Sequence, residues 1–277
     1  MASLVSRAVT VAREEGYLSL AKKTLNYLSG SSRKFRQKAR YELWKVSGTH
    51  TVSVGGIQAK FHVNDKADYN AITFFEDNEK EMVRDVLDEI SKDNTVWDVG
   101  ANFGLYTCLL QTVPSIDVVA FEPFPENRRR LEKNLELNGL DCKVTDFALS
   151  NTDGEVEFGF ASGADGSLGG TRIATHNDEE VVSVEMCRGD DLNLPQPSVV
   201  KIDVEGAEHD VINGMSETLE NCRLLYCEIH HADEGTGSSI QDYGSTLEEL
   251  MDTVESLGFT TEKIEERKNQ TLIKASR

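Results

Sequence analysis

No run in this sequence approaches the ~20 consecutive apolar residues that a membrane-spanning helix requires. The stretch 1–12 has Arg7 in its middle and Glu14-Glu15 just beyond, so it lacks the apolar heart of a secretion signal. The five cysteines (Cys108, Cys142, Cys187, Cys222, Cys227) are odd in number and form no C-x-x-C. That argues against a disulfide scaffold or zinc ribbon and for small buried hydrophobes in a reducing, cytoplasmic setting. No G-x-G-x-x-G is present, which disfavours a nucleotide-dependent oxidoreductase. Ser167 sits in a Gly/Ser-rich loop without a nucleophile elbow, which disfavours serine hydrolysis. Basic residues are scarce, 29 against 48 acidic, for a formal charge of −19. A general nucleic-acid binder needs a cationic surface and is excluded on that ground.

What is present is unevenly placed. Residues 1–50 hold ten Lys/Arg and three acids, a net of +7, and the remaining 227 residues carry 19 basic and 45 acidic groups, a net of −26. An acidic body of this kind suits a protein adapted to high salt, where repulsion is screened over a few ångströms, or an acidic soluble mesophile. Lysine supplies 15 of the 29 basic groups, so it is not depleted. Apolar content of 39% over 277 residues leaves room for a sizeable core.

The first 46 residues read as helices: Val5, Ala8, Val9 and Ala12, then Leu18, Ala21, Leu25 and Leu28, then Phe35, Ala39, Leu43 and Val46 recur at helical spacing. Residues 49–63 switch to strand-like alternation around Gly55-Gly56, a hairpin signal. Residues 77–90 return to helical spacing. From Asn94 onward short apolar runs (95–99, 118–121, 142–147, 199–203, 224–229) alternate with helical patterns (104–111, 126–138, from Ala207, 247–257). Two more strands, 156–160 and 181–186, flank the loop at 161–170. Such alternation predicts an α/β fold with a mostly parallel sheet covered on both faces. The closing strands, 259–264 and 271–275, have no helix between them, which predicts one antiparallel edge strand. The expected organisation is a basic helical arm at 1–47, a β-hairpin extension at 48–75 and a catalytic domain at 76–277.

Five strand-end motifs carry the chemistry. Asp98-Val99-Gly100-Ala101-Asn102-Phe103-Gly104 ends the first parallel strand, where ligands of doubly wound sheets bind. Its acid before the first glycine suits a cationic, amino-acid-bearing ligand better than a pyrophosphate. Phe121-Glu122-Pro123 ends the second strand and offers an acid for ribose hydroxyls. Asp146-Phe147-Ala148 ends the third, with Asp146 as an amino-group acceptor. Lys201-Ile202-Asp203-Val204-Glu205-Gly206-Ala207-Glu208 then clusters four ionisable groups where a strand gives way to a helix. Burying such groups is costly unless they are paired. The next strand ends in Glu228-Ile229-His230-His231, which a parallel register brings near Asp203. A lone histidine pair without spaced partners reads as hydrogen bonding, so no metal is expected.

The run V-W-D-V-G-A-N-F-G-L-Y-T, then F-E-P-F-P-E-N, L-E-L-N-G-L, V-K-I-D-V-E-G-A-E and C-E-I-H, over about residues 76–262, resembles the FkbM family of S-adenosylmethionine-dependent methyltransferases. The resemblance implies a Rossmann-like class I methyltransferase sheet of seven strands in order 3-2-1-4-5-7-6, with strand 7 antiparallel and helices on both faces. It implies that Asp98, Gly100, Ala101, Asn102 and Gly104 hold the methionine part of S-adenosyl-L-methionine, that Glu122 takes the ribose, and that Asp146 and Ala148 line the adenine. It further implies O-methylation of a hydroxyl on a sugar, glycan, glycolipid or small natural product, the fold itself not naming the acceptor.

An activated methyl donor leaves the protein to orient the acceptor oxygen and take its proton. His230 is the first candidate base by its ordinary pKa. Asp203 or Glu205 can serve as the base or orient the histidine, and Lys201 can steady a developing alkoxide or neutralise Asp203. The competing reading is a non-catalytic binding module that keeps the fold. Residues 161–180 are expected to cover the acceptor pocket. For the basic arm three readings stand: a cap packed on the catalytic domain, peripheral contact with an anionic inner membrane face through residues 1–46, or self-association.

Overall fold

The protein is described from a computed structural model over residues 33–160, 171–173, 181–231 and 238–277. The helical patterns before residue 33, the loop at 161–170 and most of the expected pocket cover lie outside the described residues.

The apolar runs form the centre of one sheet. Its strands are β3 (Thr95–Val99), β4 (Asp117–Phe121), β5 (Lys143–Thr145), β10 (Val199–Ile202), β11 (Leu224–His230), β12 (Thr260–Glu266) and β13 (Gln270–Ser276). They lie in the order β12-β13-β11-β10-β3-β4-β5. Strands β11, β10, β3, β4 and β5 pair in parallel. Strand β13 runs antiparallel to both β11 and β12. The antiparallel strand is therefore inserted within the sheet, not at its edge as the closing pair alone suggested; β12 is the edge. The observed order is the one the family resemblance implied.

Period-two alternation sends neighbouring side chains of these strands to opposite faces. Val96, Val118, Ala120, Val199 and Tyr226 join one core, and Trp97, Val99, Val119, Val200, Ile202 and Leu225 join the other. Burial on both faces is why these strands read as continuous apolar runs. Helices α4 (Leu105–Gln111) and α5 (Pro125–Asn138) cover the first face, and α6 (Glu208–Asn213), α7 (Ser216–Leu219) and α8 (Leu247–Ser256) cover the second.

The first face also receives the segment before β3. Strands β1 (Thr49–Val54) and β2 (Ile57–His62) form the expected hairpin, with Gly55 and Gly56 both at positive φ (55° and 87°), as a tight two-residue turn needs. Its Val52, Ala59 and Phe61 are buried in the sheet's own core. The amide of His62 donates to Asn134 Oδ1 (3.0 Å), and that of Lys60 to Asn138 Oδ1 (2.7 Å) on α5. After the hairpin the chain forms α2 (Lys66–Asn78) and α3 (Lys80–Glu89). Residues 66–75, expected to belong to a hairpin extension, are thus helical. Asp65 caps α2 by accepting from the Asp68 amide at 2.9 Å.

The end of the basic arm is α1 (Arg33–Ser47). Arg40 donates to Tyr69 Oη (3.0 Å) and Thr73 Oγ1 (3.1 Å) on α2 and lies over the Trp44 ring, so this part of the arm docks on the body. No helix among the described residues is long and apolar enough to cross a membrane.

Strand β5 is shorter than its apolar run. At Asp146 the chain leaves the main sheet for β6 (Ala148–Leu149), which joins β7 (Gly154–Phe160), β8 (Thr171–Ile173) and β9 (Val181–Cys187) in a second sheet of order β6-β9-β7-β8.

Candidate active site

Strand order reverses between β3 and β10, and the crevice at such a point, beyond the carboxyl ends of the strands, is where open α/β sheets take ligands. Here a cavity of about 480 Å³ is lined by Gly100, Ala101 and Asn102 after β3, by Lys201, Asp203 and Glu205 after β10, and by Glu228 and His230 of β11. One side of α2, with Asn70 and Phe74, closes it.

The loop after β3 is held tightly. Gly100 adopts φ +80°, and a Cβ there would lie 1.8 Å from the Asp203 carbonyl oxygen, so only glycine lets the two strand ends meet. The amides of Gly100 and Ala101 both donate to the Phe121 carbonyl at 3.0 Å. Asn102 adopts φ +52°, and its Oδ1 is buried with no hydrogen-bond partner among the described residues. Gly104 begins α4 at φ +90°, against Leu131.

Glu122 lies beneath this loop. Its carboxylate accepts from the amides of Asn102 (2.7 Å) and Phe124 (2.9 Å). Burial nevertheless pushes its carboxyl up to about 7. Asp98 is fully buried: Oδ2 accepts from Thr107 Oγ1 at 2.6 Å, and Oδ1 lies 3.3 Å from Lys201 Nζ. The structure therefore places Asp98 behind the loop, where it ties α4 to β10, and not open to the cavity. Asp146 is exposed on the turn after β5 and Ala148 half-buried in β6; neither lines the cavity.

Lys201 sits opposite Asp98 in the β10–β3 register and is almost fully buried. Its Nζ donates to the Gly100 carbonyl (3.1 Å) and lies 3.3 Å from Asp203 Oδ2. Burial alone would lower its pKa, but the carboxylates of Asp203, Asp98, Glu228 and Glu79 outweigh burial and raise it. His230 is held from behind by Glu208, whose Oε1 lies 2.7 Å from Nδ1 and also accepts from the Gly206 amide at 2.8 Å. Its Nε2 faces the Gln270 side-chain amide (3.1 Å), Glu205 Oε2 (3.6 Å) and Asp203 Oδ1 (3.8 Å). Burial disfavours the imidazolium, yet the Glu208 hydrogen bond and the charges of Glu205, Glu208 and Asp203 carry its pKa up to about 10. His230, expected as the base from its ordinary pKa, is thus protonated at neutral pH.

The carboxylates shift the opposite way. Burial raises Glu205 to about 7, with His230 opposing. Burial, then Asp203 and Glu79, raises Glu228 to about 8. Glu79, which enters from the start of α3 and accepts from Tyr106 Oη at 3.2 Å, rises to about 7 by burial and the Asp203 charge. Sequence reasoning did not assign Glu79, Tyr106, Gln270, Glu208 or Glu228 to the site. Glu228 shares a strand face with His230, and Glu208 lies in the same run as Lys201, Asp203 and Glu205, so those two were within reach. Glu79 carries no local signal.

Seven strands in this order, with one antiparallel strand inserted and a glycine loop at the carboxyl end of the central strand, define the Rossmann-like class I methyltransferase fold. The chain belongs to the FkbM methyltransferase family: the methyltransferase FkbM domain matches residues 98–261. Among similar proteins is the hexuronic acid methyltransferase AglP of Haloferax volcanii, 32% identical over 156 residues, which are 55% of this chain and 62% of AglP. The 2-O-methyltransferase NoeI of Sinorhizobium fredii is 31% identical over 156 residues, 49% of this chain and 63% of NoeI. The chain spans less than two thirds of the length of either relative. The solved methyltransferase FkbM of Methylobacillus flagellatus aligns with a TM-score of 0.46 at 15% identity, over 76% of this chain and 53% of that one.

Proposed function

We propose that this protein transfers the methyl group of S-adenosyl-L-methionine to a hydroxyl oxygen of a sugar or glycan. The observation that carries the reading is that the glycine loop and the cluster Lys201, Asp203, Glu205 and His230 line one cavity. AglP and NoeI, whose names specify a hexuronic acid and a 2-O position, support the acceptor class.

The residues present fit the cofactor. The unpartnered Asn102 Oδ1 is an acceptor for an ammonium group, and Gly100 keeps the backbone clear for a close approach. Each oxygen of Glu122 already accepts one amide and retains a lone pair for a ribose hydroxyl. Asp98 and Gly104 fix the loop that presents these groups. Asp146 and Ala148 lie outside the cavity, and only the family resemblance gives them a part in holding the adenine. When bound, the sulfonium supplies a methyl group already activated for in-line attack.

The acceptor hydroxyl then needs a group to take its proton. Glu205 fits this role best: its side chain is a third exposed, it forms no hydrogen bond among the described residues, and its backbone is held at φ +57°. A non-glycine residue in that conformation is strained, and such strain concentrates at functional positions. Asp203, already paired with Lys201, positions the acceptor, and Lys201 steadies negative charge developing on the oxygen. His230, engaged at both ring nitrogens, fixes the Glu205 and Asp203 carboxylates.

Calorimetry with S-adenosylhomocysteine and with NAD tests the cofactor, and mass spectrometry on uronic-acid-containing glycans tests the acceptor. The expected results are binding of the first nucleoside only and a cofactor-dependent gain of one methyl group stable to mild alkali, as an ether is. Binding of NAD alone would remove the methyltransferase reading. An alkali-labile methyl would move the reaction from a hydroxyl to a carboxylate oxygen.

A further inference from the structure

The acceptor side of the cavity holds a juxtaposition that methyl transfer to a hydroxyl does not itself require. One oxygen of Asp203, one oxygen of Glu228 and a ring nitrogen of His230 lie within 4.8 Å of one another. We propose that these three side chains form a divalent-cation site, open to the cavity and suited to an oxygen-preferring ion of the magnesium or manganese type, which on binding displaces the proton from His230 Nε2 to solvent.

Four features favour a built site over incidental crowding. His230 is oriented as metal-ligating histidines are: a fully buried carboxylate, Glu208, engages Nδ1 at 2.7 Å and turns Nε2 toward the other two ligands. Glu228 is only 6% exposed and makes no hydrogen bond among the described residues; Arg267 approaches it no closer than 3.7 Å, its guanidinium being engaged by Glu265 at 2.8 Å. Asp203 divides its oxygens, Oδ2 toward Lys201 and Oδ1 toward His230 Nε2, so the ammonium leaves one oxygen for a cation. Charge also points this way. Glu79, Asp203, Glu205, Glu208 and Glu228 crowd around Lys201 and His230, an excess of negative charge that a bound cation relieves.

Two carboxylates and one imidazole suit a hard or borderline divalent ion. Bonds of about 2.1 Å to each ligand are reached by small side-chain rotations from the present spacing. The remaining positions face the cavity, where water or two oxygens of a sugar can occupy them. The ion would then orient the acceptor and lower the pKa of its hydroxyl. The site stands on the ligand geometry and not on the cofactor reading.

The probe is Mn²⁺, followed by the loss of its free-ion electron paramagnetic resonance signal in the presence of the full chain. The expected result is one bound ion per chain, with affinity at least tenfold weaker in Glu228→Gln and in His230→Gln. Glu208→Gln keeps all three ligands and loses only the orienting carboxylate; it should weaken binding about 10- to 100-fold. Glu79→Gln removes a carboxylate from the same cavity but outside the triad, and it should bind within threefold of wild type. Absence of stoichiometric binding, wild-type affinity in Glu228→Gln, or equal losses in Glu79→Gln and Glu228→Gln would each overturn the proposal. A parallel titration with S-adenosylhomocysteine separates the two readings. Mn²⁺ bound without that nucleoside binding would sustain the site and remove the cofactor.

Discussion

If Glu122 takes the ribose as proposed, its surroundings should make cofactor affinity depend on pH. Burial raises its carboxyl to about 7, although two backbone amides donate to it. Ribose hydroxyls that donate to both of its oxygens need the ionised form, in which neither oxygen carries a proton and each still has a lone pair to offer. At pH 8 that form predominates. At pH 6 only about one molecule in eleven has it, so the apparent Kd for S-adenosylhomocysteine should rise about tenfold between pH 8 and pH 6. Calorimetry in buffers matched for ionic strength measures this directly. Glu122→Gln should flatten the profile and weaken binding at pH 8 by about 1.5–3 kcal/mol, the usual worth of hydrogen bonds to a charged group. The ligand-free protein should show the opposite trend. A carboxyl whose folded pKa lies above its unfolded value near 4.5 binds more protons in the native state between 4.5 and 7. Stability therefore falls as pH rises through that window, by about 3 kcal/mol at most for this one group. A Kd flat from pH 6 to 8 in wild type would refute the reasoning. So would an unchanged slope in Glu122→Gln.

Three further outcomes follow from the same geometry. Gly100→Ala places a Cβ 1.8 Å from the Asp203 carbonyl in a left-handed backbone, and it should cost at least 2 kcal/mol in urea unfolding, about the sum of strain and overpacking, together with nucleoside binding. Glu205→Gln should lower kcat by about 10²–10⁴ while S-adenosylhomocysteine affinity stays within twofold; an equal loss in both would make Glu205 a cofactor residue instead of the base. If the acidic body is adapted to salt, raising KCl from 0.1 to 2 M should lift Tm by more than about 4 °C, over 1 kcal/mol for a chain of this size, whereas a flat or falling Tm would make the acidity incidental.

The parts of this molecule legible from sequence share a physical cause. Strands β3, β4, β10 and β11 announce themselves because double-sided burial demands unbroken apolar runs such as Val118-Val119-Ala120-Phe121. The loop at Gly100 is legible because the close approach of two strand ends admits no Cβ. Helix α2 escaped because Asp68 and Asn70 interrupt its apolar positions Ala67, Tyr69, Ile72 and Phe75. That omission hid one wall of the cavity, since Asn70 and Phe74 project from the same helix.

The charge state of His230 was beyond reach for a different reason. An imidazole read alone titrates near neutrality. Its behaviour here is set by Glu208, 22 positions earlier, whose buried oxygen reaches Nδ1 only once α6 has packed against β11. Reading the residues of the V-K-I-D-V-E-G-A-E and C-E-I-H runs one at a time makes His230 the base and leaves Glu208 without a part. Placed in the fold, the same residues reverse the assignment. Glu208 removes the histidine from proton acceptance at neutral pH and aims its second nitrogen at Asp203 and Glu205. In the proposed reaction proton transfer then falls to a carboxylate open to the cavity, and this is why Glu205→Gln, not His230→Gln, is the variant that tests the base.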